Sequence, residues 1–361
     1  MSLPERLGRL RRLDRIGVGG FATVWLYRDD ELDSLVAVKA LADNWAVRHD
    51  IRERFLEEAR ILRRADSDHV VRVYDIGEAD GTPYFVMSYA DRGSLAMLLE
   101  PGRPLPPEQV ADLITQAGDG VSVLHRNGVI HRDIKPQNLL LRSTPEGGTR
   151  VLVADLGVAK AVLHASGLTQ VVGTPAYMAP EQATGLGIDK RADVHALAAV
   201  AYVLLTGRLV RESGLAGAVG WSLPPAPSRL VRVAPEWDDA LLKALEPEPD
   251  RRWASIEELV AAVRRAGARP APPPAPSTVV AAPQARPVGP PTGRPVPAAA
   301  DPPTEQMPAG PVADRHTLVS PQPVPDVQAA PRRSLVLPVL LFVIVLLAAF
   351  GGSYLLTTQL R

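Results

Sequence analysis

The chain contains no cysteine. Disulfides, thiolate metal sites and thiol nucleophiles are thereby excluded together. An excess of either charge is also missing: 40 lysines and arginines balance 40 aspartates and glutamates, with no long block of one sign. Nothing here makes a basic footprint, so no nucleic-acid partner is expected. Met1 to Gly17 is charged and carries no apolar core, which argues against a signal peptide. Lysine is scarce. Only Lys39, Lys135, Lys160, Lys190 and Lys243 occur, against 35 arginines. Arginine serves a solvated surface equally well, so each remaining lysine is a candidate for a specific task.

Proline, by contrast, is abundant and uneven: 19 of the 36 fall between Pro270 and Pro331. That window cannot bury enough apolar surface to fold, so the globular part is expected to end near Arg269. Before it, the first ~90 residues alternate short β-branched runs with turns. Arg15–Gly17, Ala22–Tyr27, Leu35–Val38, Val70–Tyr74 and Tyr84–Met87 read as strands. His49 to Ala65 reads as a helix, with Ile51, Phe55, Ala59 and Leu62 along one face. From Asp91 the pattern turns helical: Val110, Leu113, Ile114, Ala117, Val121 and Leu124 recur at helical spacing. Arg191 to Leu205 reads as a buried helix, and Trp237–Leu245 and Ile256–Val263 are amphipathic. The expectation is an α+β fold of two lobes, a β-rich one with one helix over residues 10–90 and a helical one over 91–268.

Beyond a disordered linker over 269–333, Leu335 to Leu356 is a stretch of 22 residues without a charge. As a helix it would be ~33 Å long, enough to span a bilayer. Arg332 and Arg333 precede it and mark the cytoplasmic side. The expected location is the cell membrane, single-pass, with the globular part cytoplasmic and Thr357 to Arg361 as a short outer tail.

Chemistry first shows at Gly17-Val18-Gly19-Gly20-Phe21-Ala22-Thr23-Val24. Glycines between two strands let backbone amides approach phosphate oxygens with no Cβ in the way. Lys39 then ends the apolar run Val36-Ala37-Val38. A lysine there must find an anion, and Glu57 and Glu58 on the next helix are the candidates.

Together these features resemble the eukaryotic-type serine/threonine protein kinases of bacteria, in which a strand lysine holds ATP phosphates and a helix glutamate fixes the lysine. The resemblance implies Glu58 for that glutamate; spacing alone leaves Glu57 open. It implies a nucleotide site made by Ile16, Gly17, Val18, Gly19, Gly20, Phe21, Ala22, Thr23, Val24, Ala37, Lys39 and Glu58, with Met87, Tyr89 and Ala90 at the hinge. The most specific match is His131-Arg132-Asp133-Ile134-Lys135-Pro136-Gln137-Asn138. In it Asp133 accepts the proton of an incoming hydroxyl and Lys135 neutralises charge on the moving phosphoryl group. Asn138 and Asp155, the latter in Asp155-Leu156-Gly157, hold Mg²⁺, with Mn²⁺ as an alternative. Leu156 replaces the more usual phenylalanine. In Gly173-Thr174-Pro175-Ala176-Tyr177-Met178-Ala179-Pro180-Glu181, Thr174 goes with serine/threonine specificity. Glu181 is expected to pair with Arg252, and Asp193 to brace the catalytic loop. Arg132 suggests control by phosphorylation of Thr169, or of Ser166, on the activation segment.

Three departures from the family pattern stand out. Ala22 takes the place of a third glycine, Ser88-Tyr89 form an unusual hinge, and Arg208 to Ser228 matches poorly. The expected partners are ATP, proteins bearing serine or threonine, a lipid bilayer, a second copy for trans-phosphorylation, and phosphothreonine readers drawn to Thr278, Thr292, Thr304 or Thr317. A pseudokinase scaffold is the alternative function; it usually lacks one of the three residues Lys39, Asp133 and Asp155 represent, and all are present.

Overall fold

The computed structural model describes residues 3–100, 102–157, 176–184, 187–211 and 222–270. The activation-segment residues Ser166, Thr169 and Thr174, the linker beyond Pro270 and the apolar run Leu335 to Leu356 lie outside the described residues.

Six strands form one sheet: β1 (Arg6–Leu7), β2 (Leu10–Val18), β3 (Ala22–Asp29), β4 (Ser34–Leu41), β5 (Val73–Ala79) and β6 (Thr82–Ser88). Their order is β1-β2-β3-β4-β6-β5, antiparallel throughout. β4 is almost wholly apolar because both its faces are covered. Ala37 and Leu41 share a core with Ile51, Phe55, Ala59 and Leu62. Those four lie on α2 (His49–Arg64), which follows the short α1 (Asp43–Ala46). On the other face, Val36, Val38 and Ala40 pack with Leu3, Tyr27 and Val86. The N-terminal segment straps this outer face, since Tyr27 Oη donates to the Pro4 carbonyl at 2.8 Å and the Arg12 guanidinium donates to that of Leu3.

Two strand readings differ from the structure. The sheet starts well before Arg15, because arginines on the half-exposed β2 mask its alternation. Val70 to Tyr74 is divided between two partners. Val71 N donates to the Val153 carbonyl at 3.0 Å, tying the loop to the second lobe, and the strand itself starts at Val73.

The second lobe is built on α3 (Pro107–Arg126), whose buried stripe contains all six residues that mark its period in the sequence. A hairpin of β7 (Leu139–Ser143) and β8 (Thr149–Val153) lies against it. α4 (Pro180–Thr184), α5 (Arg191–Thr206), α6 (Glu236–Ala244) and α7 (Ile256–Gly267) complete it. α5 is buried from Ala192 to Thr206, as its apolar sequence demands. Gly120 explains the close seat of α3 on the hairpin: a Cβ there would lie 2.3 Å from the His69 carbonyl oxygen and 2.7 Å from Val153. Ser255 caps α7 by accepting from Glu258 N, while Glu258 reaches back to accept from Ala254 N, a reciprocal cap.

Candidate active site

The loop between α3 and β7 is fixed from below by one buried carboxylate. Asp193, in the first turn of α5, accepts from His131 N at 2.7 Å and Arg132 N at 2.9 Å, and contacts His125 Nε2 at 2.8 Å. This clamp holds Arg132 in the left-handed region, at φ 65°, which costs a non-glycine residue roughly 1–3 kcal/mol. The kink turns Asp133 toward the cleft. His131, fully buried, joins the same loop to the next: its Nδ1 accepts from Asp133 N at 3.3 Å and its Nε2 donates to the Ala154 carbonyl at 3.0 Å.

Asp155 follows, also left-handed at φ 59°. Gly157 closes that turn by donating to the His131 carbonyl at 2.9 Å. A Cβ on Gly157 would stand 3.1 Å from that oxygen and 3.3 Å from Asp133 Cβ, so a side chain there would crowd the turn by a few tenths of an ångström.

At the mouth of these loops Asp133 Oδ2 lies 3.0 Å from Lys135 Nζ and accepts from Asn138 Nδ2 at 2.9 Å. Asn138 Nδ2 also donates to the Asp133 carbonyl at 2.8 Å. With its nitrogen committed, the amide presents its oxygen, which meets no partner among the described residues. That oxygen and the half-open Asp155 carboxylate are hard donors of the kind Mg²⁺ prefers.

Across the cleft, Lys39 donates to Glu58 at 2.7 Å and to Asp155 at 2.8 Å. Burial opposes the charge on Lys39, but two flanking carboxylates overcome it and push its pKa above the ordinary value. Burial raises Glu58, with the Asp155 carboxylate adding to the effect against the pull of Lys39. Partial burial also opposes charge on Asp155, yet the Lys39 ammonium, with that of Lys135, holds it below the usual carboxylate range. Glu57 points elsewhere, pairing with Arg60 and Arg64 on the exposed face.

The glycine-rich turn between β2 and β3 is closed by Gly19 N donating to the Ala22 carbonyl at 2.8 Å. Ala22 is buried and starts β3, facing Leu41. Ile16 and Val18 stand exposed on β2, while Ala37 and Met87 are buried and paired in register on β4 and β6. Tyr89 and Ala90, half-buried, follow β6. Ser88 is buried, and its hydroxyl accepts from Arg72 N at 3.2 Å, which accounts for a small polar residue there.

Glu181 and Arg252 form a two-pronged pair at 2.7 and 2.8 Å, and Arg252 also donates to the carbonyls of Glu246, Arg191 and Pro247. In the segment that matches the family poorly, the Arg211 guanidinium donates to the Met178 carbonyl, and burial pushes its pKa down to about 10.

A family model described as the protein kinase domain matches residues 10–219. The chain belongs to the protein kinase family. Its sequence is 36% identical over 259 residues to the serine/threonine-protein kinase Pkn1 of Myxococcus xanthus, covering 70% of this chain and 37% of that protein. It is 34% identical over 273 residues to the serine/threonine-protein kinase PknB of Mycobacterium leprae, covering 72% and 43%. The match thus spans less than half the length of these curated relatives. Among solved structures, the PknI kinase domain of Mycobacterium tuberculosis (a C20A_R136A double mutant) superposes with a TM-score of 0.60 at 26% identity, covering 74% of this chain and all of that one.

Several residues that build this kinase site carry no signal in the linear motifs. Trp45, on α1, donates from Nε1 to the Gly20 carbonyl at 2.8 Å and packs on Phe21 with ring centroids 5.1 Å apart. Gln182 donates to the Arg132 carbonyl at 2.8 Å, and His125 supports Asp193. A tryptophan just after a strand and a histidine closing a helix are ordinary in a sequence; only their distant partners give them meaning.

Proposed function

We propose that this chain is a serine/threonine protein kinase that transfers the γ-phosphoryl group of ATP to protein hydroxyls. The observation that carries the reading is the convergence of Asp133, Lys135 and Asn138 from one loop on Asp155 from the turn after β8 and Lys39 from β4. Asp133 accepts the proton of the substrate hydroxyl, and its contacts with Lys135 and Asn138 aim its carboxylate outward. Lys39, fixed by Glu58, supplies an ammonium for the α- and β-phosphates. Lys135 faces the transferring group. Ile16, Val18, Ala37 and Met87 offer apolar walls to the base, and the glycine-rich turn offers amides to the phosphates. Mg²⁺ or Mn²⁺, held by Asp155 and the Asn138 oxygen with nucleotide phosphates and water, would neutralise phosphate charge.

The Arg132 guanidinium is exposed and has no partner among the described residues. That supports control by phosphorylation of the activation segment, at Thr169 or Ser166, by a neighbouring copy. The charge-free run Leu335 to Leu356 supports a membrane anchor.

The test is a transfer assay with γ-labelled ATP, Mg²⁺ and a generic protein acceptor. The wild-type chain should label serine and threonine, and Lys39→Met should label at least about a hundredfold less, since an aligned charge at developing phosphate charge contributes on that scale. Equal labelling by both would defeat the assignment.

A further inference from the structure

Two side chains of the second lobe hold the stretch of chain just before α4, and neither touches the groups that would transfer phosphate. Arg211, shortly after α5, donates from its guanidinium to the Met178 carbonyl. His195, buried on α5, hydrogen-bonds the Tyr177 backbone. Two consecutive residues are thus gripped by two side chains.

Both placements are costly. Burial pushes Arg211 down to about 10, and a part-buried guanidinium needs hydrogen bonds to stay there. Burial, with the charges of Arg252 and Arg211, holds His195 well below the usual imidazole range. The ring is therefore neutral and adds no repulsion to Arg211. Its Nδ1 is buried and meets no partner among the described residues. An apolar side chain would fill that space without an unpaired nitrogen, so the bond to the Tyr177 backbone is what a histidine adds.

The grip carries to the catalytic loop. Next to Met178, Ala179 N donates to Gln182 Oε1 at 3.1 Å, and the Ala179 carbonyl accepts from Gln182 N at 3.0 Å. Gln182 Nε2 then donates to the Arg132 carbonyl at 2.8 Å, one peptide bond from Asp133. Arg211 fixes one end of this path, and the backbone beside Asp133 fixes the other. A polypeptide that brings a hydroxyl to Asp133 sets its neighbouring residues, ~3.3 Å apart when extended, beside this stretch. Of Ala176 to Ala179, Met178 alone is half-exposed; the others are buried. Its flexible thioether suits contact with varied side chains.

We propose that Arg211, with His195 beside it, is a positioning residue for the acceptor protein: it fixes the stretch holding Met178 where an acceptor's hydroxyl can reach Asp133. Arg211 lies in Arg208 to Ser228, where the sequence departs from the family pattern, so the device belongs to this chain.

The proposal rests on the kinase reading, and one set of kinetics separates the two. Full-length wild type, Arg211→Met and Arg211→Lys are compared across concentrations of one protein acceptor at saturating ATP–Mg²⁺, then across ATP at fixed acceptor. Arg211→Met should raise the acceptor KM about tenfold, the scale of one charge-assisted hydrogen bond, with kcat and the ATP KM little changed. Arg211→Lys keeps a cationic donor and should regain part of the loss. Gln182→Ala breaks the path at its middle, so adding Arg211→Met to it should raise the acceptor KM clearly less than in wild type. Should Arg211→Met not fold, Arg211→Lys decides, with a raised acceptor KM at an unchanged ATP KM expected. An acceptor KM equal to wild type overturns the proposal and leaves the kinase reading intact. So does a fall in kcat with a disturbed ATP KM, or a full tenfold effect on top of Gln182→Ala, since either marks a mere prop for the fold. No transfer by wild type removes the kinase reading and the proposal with it.

Discussion

One ammonium, Lys39, stands between two carboxylates, and the three groups come from β4, α2 and the turn after β8. The choice of Glu58 over Glu57 is written in the helix phase. Glu58 follows Ile51 by seven residues, nearly two turns at 3.6 residues each, and so falls on the same stripe. Glu57 lies a third of a turn away, on the solvated side. Motif spacing leaves the pair open because it ignores that rotation. Arg252 shows a different kind of legibility: the sequence suggests its partner, while the three carbonyls it also satisfies come from folding alone. With its side chain fully buried against Glu181, Arg252→Met removes the two-pronged pair and takes the guanidinium donor away from three carbonyls. The variant should lose about 3–5 kcal/mol of stability in a denaturant titration. A change within experimental error would show that the pair is not structural.

At the scale of elements, short local motifs are legible and long-range arrangements are not. α3 and α5 are readable because one is amphipathic and the other wholly apolar, and each periodicity reports burial directly. β2 reads short in the sequence because its arginines lie on a half-open edge of the pattern. Val70 to Tyr74 misleads for the opposite reason: it is rich in valine while serving two partners. The glycine-rich turn is legible as glycines, but its attachment to α1 is not. Trp45 holds that turn through one hydrogen bond and one ring contact, so Trp45→Ala should loosen it where phosphates would be covered. The expected outcome is an ATP KM raised roughly fivefold, in line with about 1 kcal/mol for the bond, with kcat little changed. Steady-state kinetics across ATP concentrations would show it, and an unchanged KM would mean the turn keeps its place without Trp45.

For the molecule as a whole, the two-lobed architecture follows from a change in periodicity near Asp91, and the sheet order and the clamp of Asp193 on the catalytic loop require the three-dimensional structure. The proposed membrane anchor rests on the charge-free run Leu335 to Leu356 alone. Full-length chain expressed in bacterial cells should remain with membranes after a carbonate wash, while a chain ending at Arg333 should be released. Release of the full-length chain would remove the anchor from the account. The central claim concerns one carboxylate, and the most direct measurement is a comparison of wild type with Asp133→Asn, following nucleotide binding and phosphoryl transfer to a protein acceptor in the same samples. The prediction is unchanged affinity for ATP–Mg²⁺ with transfer lowered by about 10²–10⁴, the range for loss of a positioned acid–base group. Transfer by Asp133→Asn at the wild-type rate, or no transfer by wild type at all, would contradict it.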